Sequence, residues 1–120
     1  MPLLEVEVVL GPAETLPDGL AAALAQAAAR VLEARAGSTW VRLRTLGPEG
    51  YAEDEPLEGP LPVFVDVLLA HPPEGGQRTG VVRRLTAAVA DATGRPPERV
   101  HVRLAPAGAG RQAFGGELVE

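Results

Sequence analysis

The chain has 120 residues, 46% of them hydrophobic, which is the size of one domain with enough apolar material for a core. Acidic residues outnumber basic ones 16 to 11, for a formal charge of -5, so the field repels phosphate backbones and anionic lipid and excludes nucleic acid as the expected partner. No run approaches the roughly 18 apolar residues of a membrane span, the first residues lack the charged flank and apolar run expected of a secretory signal, cysteine is absent and His71 and His101 are the only imidazoles. The expectation is a cytoplasmic protein with no membrane contact, no disulfide or thiol chemistry, and no metal cluster.

Leu3 to Leu10 alternates, with Leu4, Val6, Val8 and Leu10 on one side and Glu5 and Glu7 on the other, which is the period of a strand. Gly11 and Pro12 stop it. From Asp18, read as the N-cap, to Arg35 the stripe Leu20, Leu24, Ala27, Val31 has helical spacing, with Gly37 as the stop. A second strand runs from Thr39 to Leu46, with Arg42 and Arg44 opposite Val41 and Leu43. Residues 47–60 hold three Gly, three Pro and five acidic residues and form an acidic linker, in which Tyr51 is expected to face solvent. The pattern then restarts. Leu61 to Leu69 is a strand, His71 to Gly76 a loop, Val81, Leu85, Ala88, Val89 and Ala92 mark a helix ending before Gly94, and Arg99 to Leu104 alternates again.

The reading is one domain over residues 1–120, with β-α-β repeats at 2–46 and 62–105, the linker at 47–60 and a tail at 106–120. Each repeat demands a parallel strand pair with a right-handed helical crossover. The fold class is therefore α+β: a duplicated β-α-β unit forming a four-stranded mixed sheet with two helices on one face. The other face carries Glu5, Glu7 and Asp66 against Arg42, Arg44, His101 and Arg103, a pattern of cross-strand pairing, together with Leu3, Val9, Trp40, Phe64 and Leu68. So much mixed apolar surface predicts association of copies through the sheet.

Pro2 follows Met1, and methionine before a small residue is ordinarily removed, which would leave proline with a free secondary amine, a candidate general base near neutrality. With the duplicated layout, this Met-Pro start resembles the tautomerase superfamily, which includes 4-oxalocrotonate tautomerase, 5-carboxymethyl-2-hydroxymuconate isomerase and macrophage migration inhibitory factor. The likeness rests on Pro2-Leu3-Leu4, on Thr39-Trp40-Val41-Arg42-Leu43, on Pro62-Val63-Phe64-Val65, on Pro97-Glu98-Arg99-Val100-His101-Val102 and on Gly115-Gly116-Glu117-Leu118. It implies a homotrimer and an isomerase that interconverts keto and enol, or double-bond, forms of a small anionic 2-oxo acid.

In that resemblance Pro2 is the catalytic base and Arg42 binds the substrate carboxylate, with no metal or other cofactor. The Arg that the family places after the first strand is Pro12 here, with Pro72 at the matching place in the second repeat, and Arg78 is its nearest substitute. Arg83 and Arg84 read as solvated helix face, and His71 as an exposed loop residue. Two alternatives accompany this reading. One is a hydratase or dehalogenase that uses the same proline as an acid; the other is a non-catalytic trimeric binding or scaffold protein of the same fold.

Overall fold

The computed structural model covers residues 1–120. Strand β1 is Leu3–Val9, helix α1 Leu20–Leu32, β2 Trp40–Leu46, β3 Val63–Leu68, α2 Gly76–Thr93 and β4 Val100–Leu104; a hairpin of β5 (Ala113–Phe114) and β6 (Glu117–Leu118) closes the chain. The sheet order is β2-β1-β3-β4, with β1 and β2 parallel, β3 and β4 parallel, and β1 antiparallel to β3. This is the expected four-stranded mixed sheet. No helix is long and apolar enough to cross a membrane.

The alternation that defines the strands also defines the core. Leu4, Val6 and Val8 of β1 and Val63, Val65 and Val67 of β3 are all essentially inaccessible, and they receive Leu20, Leu24 and Ala28 of α1 and Leu85 and Val89 of α2. The helix residues are spaced four apart, so each helix offers one apolar stripe to the sheet. Each fully buried Leu or Val contributes about 1.5–3 kcal/mol, so this layer holds the two repeats together.

Several boundaries depart from the sequence reading. Helix α1 starts after Gly19, which is left-handed at φ 77°, and Asp18 makes no capping bond. The helix ends at Leu32, short of Arg35, because Glu33 turns left-handed at φ 51° and its N–H returns to the carbonyls of Ala29 and Arg30. Val9, expected on the open face, is buried, since the linker, through Pro48, Tyr51 and Leu57, folds back over the Val9 end of β1. Tyr51 is half-buried rather than fully solvent-facing: its ring lies tilted 5.8 Å from Phe64 and its hydroxyl donates to Glu53 at 2.6 Å. Arg99 ties Glu53 down at 2.8 Å and donates to the Pro60 carbonyl at 2.9 Å.

A near two-fold axis passes through the sheet centre, where Glu5 of β1 faces Asp66 of β3 and their parallel neighbours are Arg42 and Arg103. The result is a row Arg42-Glu5-Asp66-Arg103 across all four strands. The outer pairs close as ion pairs, Arg42 to Glu5 at 2.8 Å and Arg103 to Asp66 at 2.7 Å, so each Arg offsets one of two carboxylates that would otherwise repel. Arg44 lies opposite Glu7 in register but is absent from the four ion pairs of the chain.

Candidate active site

Pro2 is buried at the start of β1, and its carbonyl accepts from Trp40 N–H at 3.0 Å, which fixes it to the head of β2. Both parallel crossovers put the end of a first helix and the beginning of a second at the same end of the sheet. The last turn of α1 and the first turns of α2 therefore converge around Pro2, enclosing a cleft of about 470 Å³. Glu33 and Ala34 border it on the α1 side, Gln77 and Arg84 on the α2 side, and His71 in the loop after β3. Met1 lines the cleft beside Pro2, and its side chain rests on Gly108, where a Cβ would come 2.5 Å from the Met1 methyl. Gly108 is itself held by its N–H to the Leu69 carbonyl at 2.8 Å.

The three residues singled out in the sequence lie apart within one chain. Pro2 is in the cleft. Arg42 is on the open sheet face, paired with Glu5, in a separate groove of the same size that the tail borders through Pro106 and Gln112. Arg78 is in the first turn of α2 and donates to the Pro73 carbonyl at 3.4 Å without bordering the Pro2 cleft. Arg84, read from the sequence as solvated helix face, is exposed, and it also borders the cleft. The signal that could have found it is the spacing Gln77, Val81, Arg84, one helical face beginning just after the strand that ends beside Pro2. His71 also reaches the cleft, with Nε2 3.2 Å from the Glu120 carbonyl oxygen.

Backbone geometry at the cleft is unusual at Glu33, one of two non-glycine residues with positive φ. The matching position after α2 is Gly94, at φ 71°, whose N–H returns to Ala90 at 2.9 Å. A side chain in this conformation carries a cost that glycine avoids. No group of three or more His, Cys, Asp or Glu side chains stands together to hold a metal ion.

Among solved structures, the chain matches a fused 4-OT, a wild-type symmetric trimer, with a TM-score of 0.76 over 98% of this chain and 94% of that one, at 17% identity. It matches macrophage migration inhibitory factor from Oncomelania hupensis at 0.74 over all of this chain and 83% of that one, at 20% identity. The chain has the tautomerase fold. A malonate semialdehyde decarboxylase, whose structure has been related to decarboxylase and hydratase activities, shares that fold at 0.66, covering 94% of this chain and 90% of the other at 19% identity. No protein-family model and no curated protein matches the sequence, so the likeness lies in the arrangement of the backbone. In the hairpin tail, Gly115 and Gly116, both at positive φ, make the two-residue turn.

Proposed function

We propose that this protein is a tautomerase: once Met1 is removed, the Pro2 amine acts as general base on a small 2-oxo or enol acid. The observation that carries this reading is the place of Pro2, buried where β1 begins and lining the cleft beside Met1. Loss of Met1 frees the nitrogen from its amide bond and vacates the seat on Gly108. The nitrogen takes the enol hydroxyl proton and returns it to the neighbouring carbon, so the C–O bond becomes a carbonyl and the C=C bond becomes single. A positioned base of this kind contributes about 10²- to 10⁴-fold.

The same reading makes the protein a homotrimer, as the fused 4-OT is. The open sheet face, with Trp40 55% exposed and edge-on to Phe114 at 5.1 Å, is the surface that association would cover. In such a trimer Arg42 of a neighbouring copy reaches the substrate oxygen, and Arg78 stands at the rim. Glu33 favours a second reading, in which Pro2 stays protonated and acts as an acid on an unsaturated acid, because a carboxylate in the same cleft stabilises an ammonium.

Intact mass decides the first step: the reading requires a chain lighter by one methionine. With that chain, Pro2→Ala is expected to lower kcat/KM on an enol such as phenylenolpyruvate by about 10²-fold or more while the trimer persists by light scattering. Undiminished turnover sinks the mechanism, and a retained Met1 leaves Pro2 with an amide nitrogen and returns the protein to a binding role. The pH profile separates base from acid, since activity of the base is lost as pH falls and activity of the acid as pH rises.

A further inference from the structure

Several of the eleven arginines are already engaged. Arg42, Arg95, Arg99 and Arg103 are paired with Glu5, Glu14, Glu53 and Asp66, and Arg78 donates to a backbone carbonyl. Arg84 is exposed, has no such partner and is the arginine that borders the cleft. It shares one face of α2 with Gln77, Gly80 and Val81, and helical side chains lean toward the N-terminus of their helix. Arg84 does so over Gly80: its Nη1 lies 3.1 Å from where a Gly80 Cβ would stand. Gly80 thus lets the guanidinium lie low, toward Gln77 and the first turn of α2, where the helix dipole adds positive charge.

The opposite wall has the reverse polarity. It is the C-terminal end of α1, with Glu33 beside it. The cleft is therefore polarised across its width, anion-favouring on the α2 side and cation-favouring on the α1 side.

We propose that Arg84 is the carboxylate anchor of the Pro2 cleft and that the cleft selects monocarboxylates over dicarboxylates. The guanidinium fork takes one carboxylate in a bidentate, charge-assisted pair, while a second carboxylate directed across the cleft meets Glu33. Gly80 is a positioning residue that sets where the fork lies. The inference rests on Pro2 marking a substrate cleft, and it leaves the 2-oxo oxygen to the neighbour's Arg42.

Binding of unreactive acids tests this without turnover. Calorimetry on the full chain with Met1 removed would compare 3-phenylpropanoate, its neutral amide and the dianion phenylsuccinate at neutral pH. The monoacid is expected to bind about tenfold tighter than the amide, equivalent to one charge-assisted contact, and phenylsuccinate no tighter than the monoacid. Arg84→Gln should erase the preference for acid over amide, Arg84→Lys should keep part of it, Gly80→Ala should weaken it two- to fivefold by order of magnitude, and Arg83→Gln on the same helix should leave it unchanged. Unaltered thermal midpoints show that the variants fold.

The inference is overturned if Arg84→Gln keeps the preference, if Arg42→Gln alone removes it, if phenylsuccinate binds tighter, or if the wild-type protein does not distinguish acid from amide. Pro2→Ala separates this from the catalytic reading, because it should lose turnover and keep the acid preference. An Arg84-dependent preference in a protein that turns over no enol would overturn the base and leave the anchor standing.

Discussion

The two ends of the sheet are built by the same plan and finished differently. At one end Pro2 heads β1, Glu33 and Ala34 follow α1, and His71 follows β3, around an open cleft. At the other, Pro62 precedes β3, Gly94 and Arg95 follow α2, and Leu10 follows β1. There the open space is smaller, about 190 Å³, and the Arg95 side chain is 14% exposed, donates to the Val9 carbonyl at 2.8 Å and pairs with Glu14 at 3.1 Å. Where the first end has Ala34, the second has a guanidinium that plugs the space. Pro62 lies mid-chain, so its nitrogen is an amide and takes no proton. A duplication makes two equivalent ends, and the proposed function places the chemistry at the Pro2 end alone.

The largest expected contrast is between the two prolines. Pro2→Ala should cost about 10²-fold or more in kcat/KM, whereas Pro62→Ala should leave turnover within a factor of about two, because nothing at that end acts on substrate. Equal losses would erase the distinction between the ends. Next is the plug. Arg95→Ala strands the Val9 carbonyl and Glu14, and about 1–3 kcal/mol of stability should go with them, read as a lower denaturant midpoint with turnover at saturating substrate retained. The reciprocal change, Ala34→Arg, carries the plug to the open end and should abolish binding of small acids there. Retained binding would mean that the cleft beside Ala34 is not where substrate sits.

The sequence declared the layers clearly and the site poorly, for a physical reason. Alternation is a local property, so Glu5, Asp66, Arg42 and Arg103 could be placed on the open face from spacing alone, and two of the cross-strand pairs expected there close as ion pairs. That same alternation places Arg42 on the face away from the helices. Arg84 needs two things that spacing does not supply: which part of α2 reaches β1, and the absence of a Cβ at Gly80. Tyr51 was illegible because the linker has no period. It is organised by contacts to Phe64 and Arg99, which are distant in sequence. Asp18 and Gly37 have the right chemistry for helix ends, but Gly19 and Glu33 take those roles, since packing of Leu20, Leu24 and Ala28 fixes where the helix begins and ends.

The helix ends give a subtler contrast. Gly94 and Glu33 hold the same left-handed position after the two helices, so Glu33→Gly should raise stability by about 1 kcal/mol and Gly94→Ala should lower it by a similar amount. If Glu33 limits the cleft to monoacids, Glu33→Gly should also let phenylsuccinate bind tighter, which makes the strained residue a trade of stability for selectivity. A stabilised variant with unchanged selectivity would reduce Glu33 to an accident of the helix end.

The smallest effect belongs to the linker that distinguishes the closed end, and Tyr51 reports it because it is the only tyrosine. Its hydroxyl donates to Glu53, which raises its pKa above the usual phenol value, and Glu53 is lowered in turn by Tyr51 and then Arg99. A raised phenol contributes stability below its unfolded pKa and loses it as pH climbs through the folded one. A lowered carboxylate contributes above its unfolded pKa and loses it as pH falls through the folded one. The strap is therefore firm between the carboxylate and phenol ranges and loosens outside both. Ultraviolet titration should show the phenolate appearing at higher pH than in the unfolded chain, and Glu53→Gln or Arg99→Gln should bring it back toward that value. A tyrosine titrating as in the unfolded chain would mean that the linker does not hold this contact in solution, and the second end would then be closed by Arg95 alone.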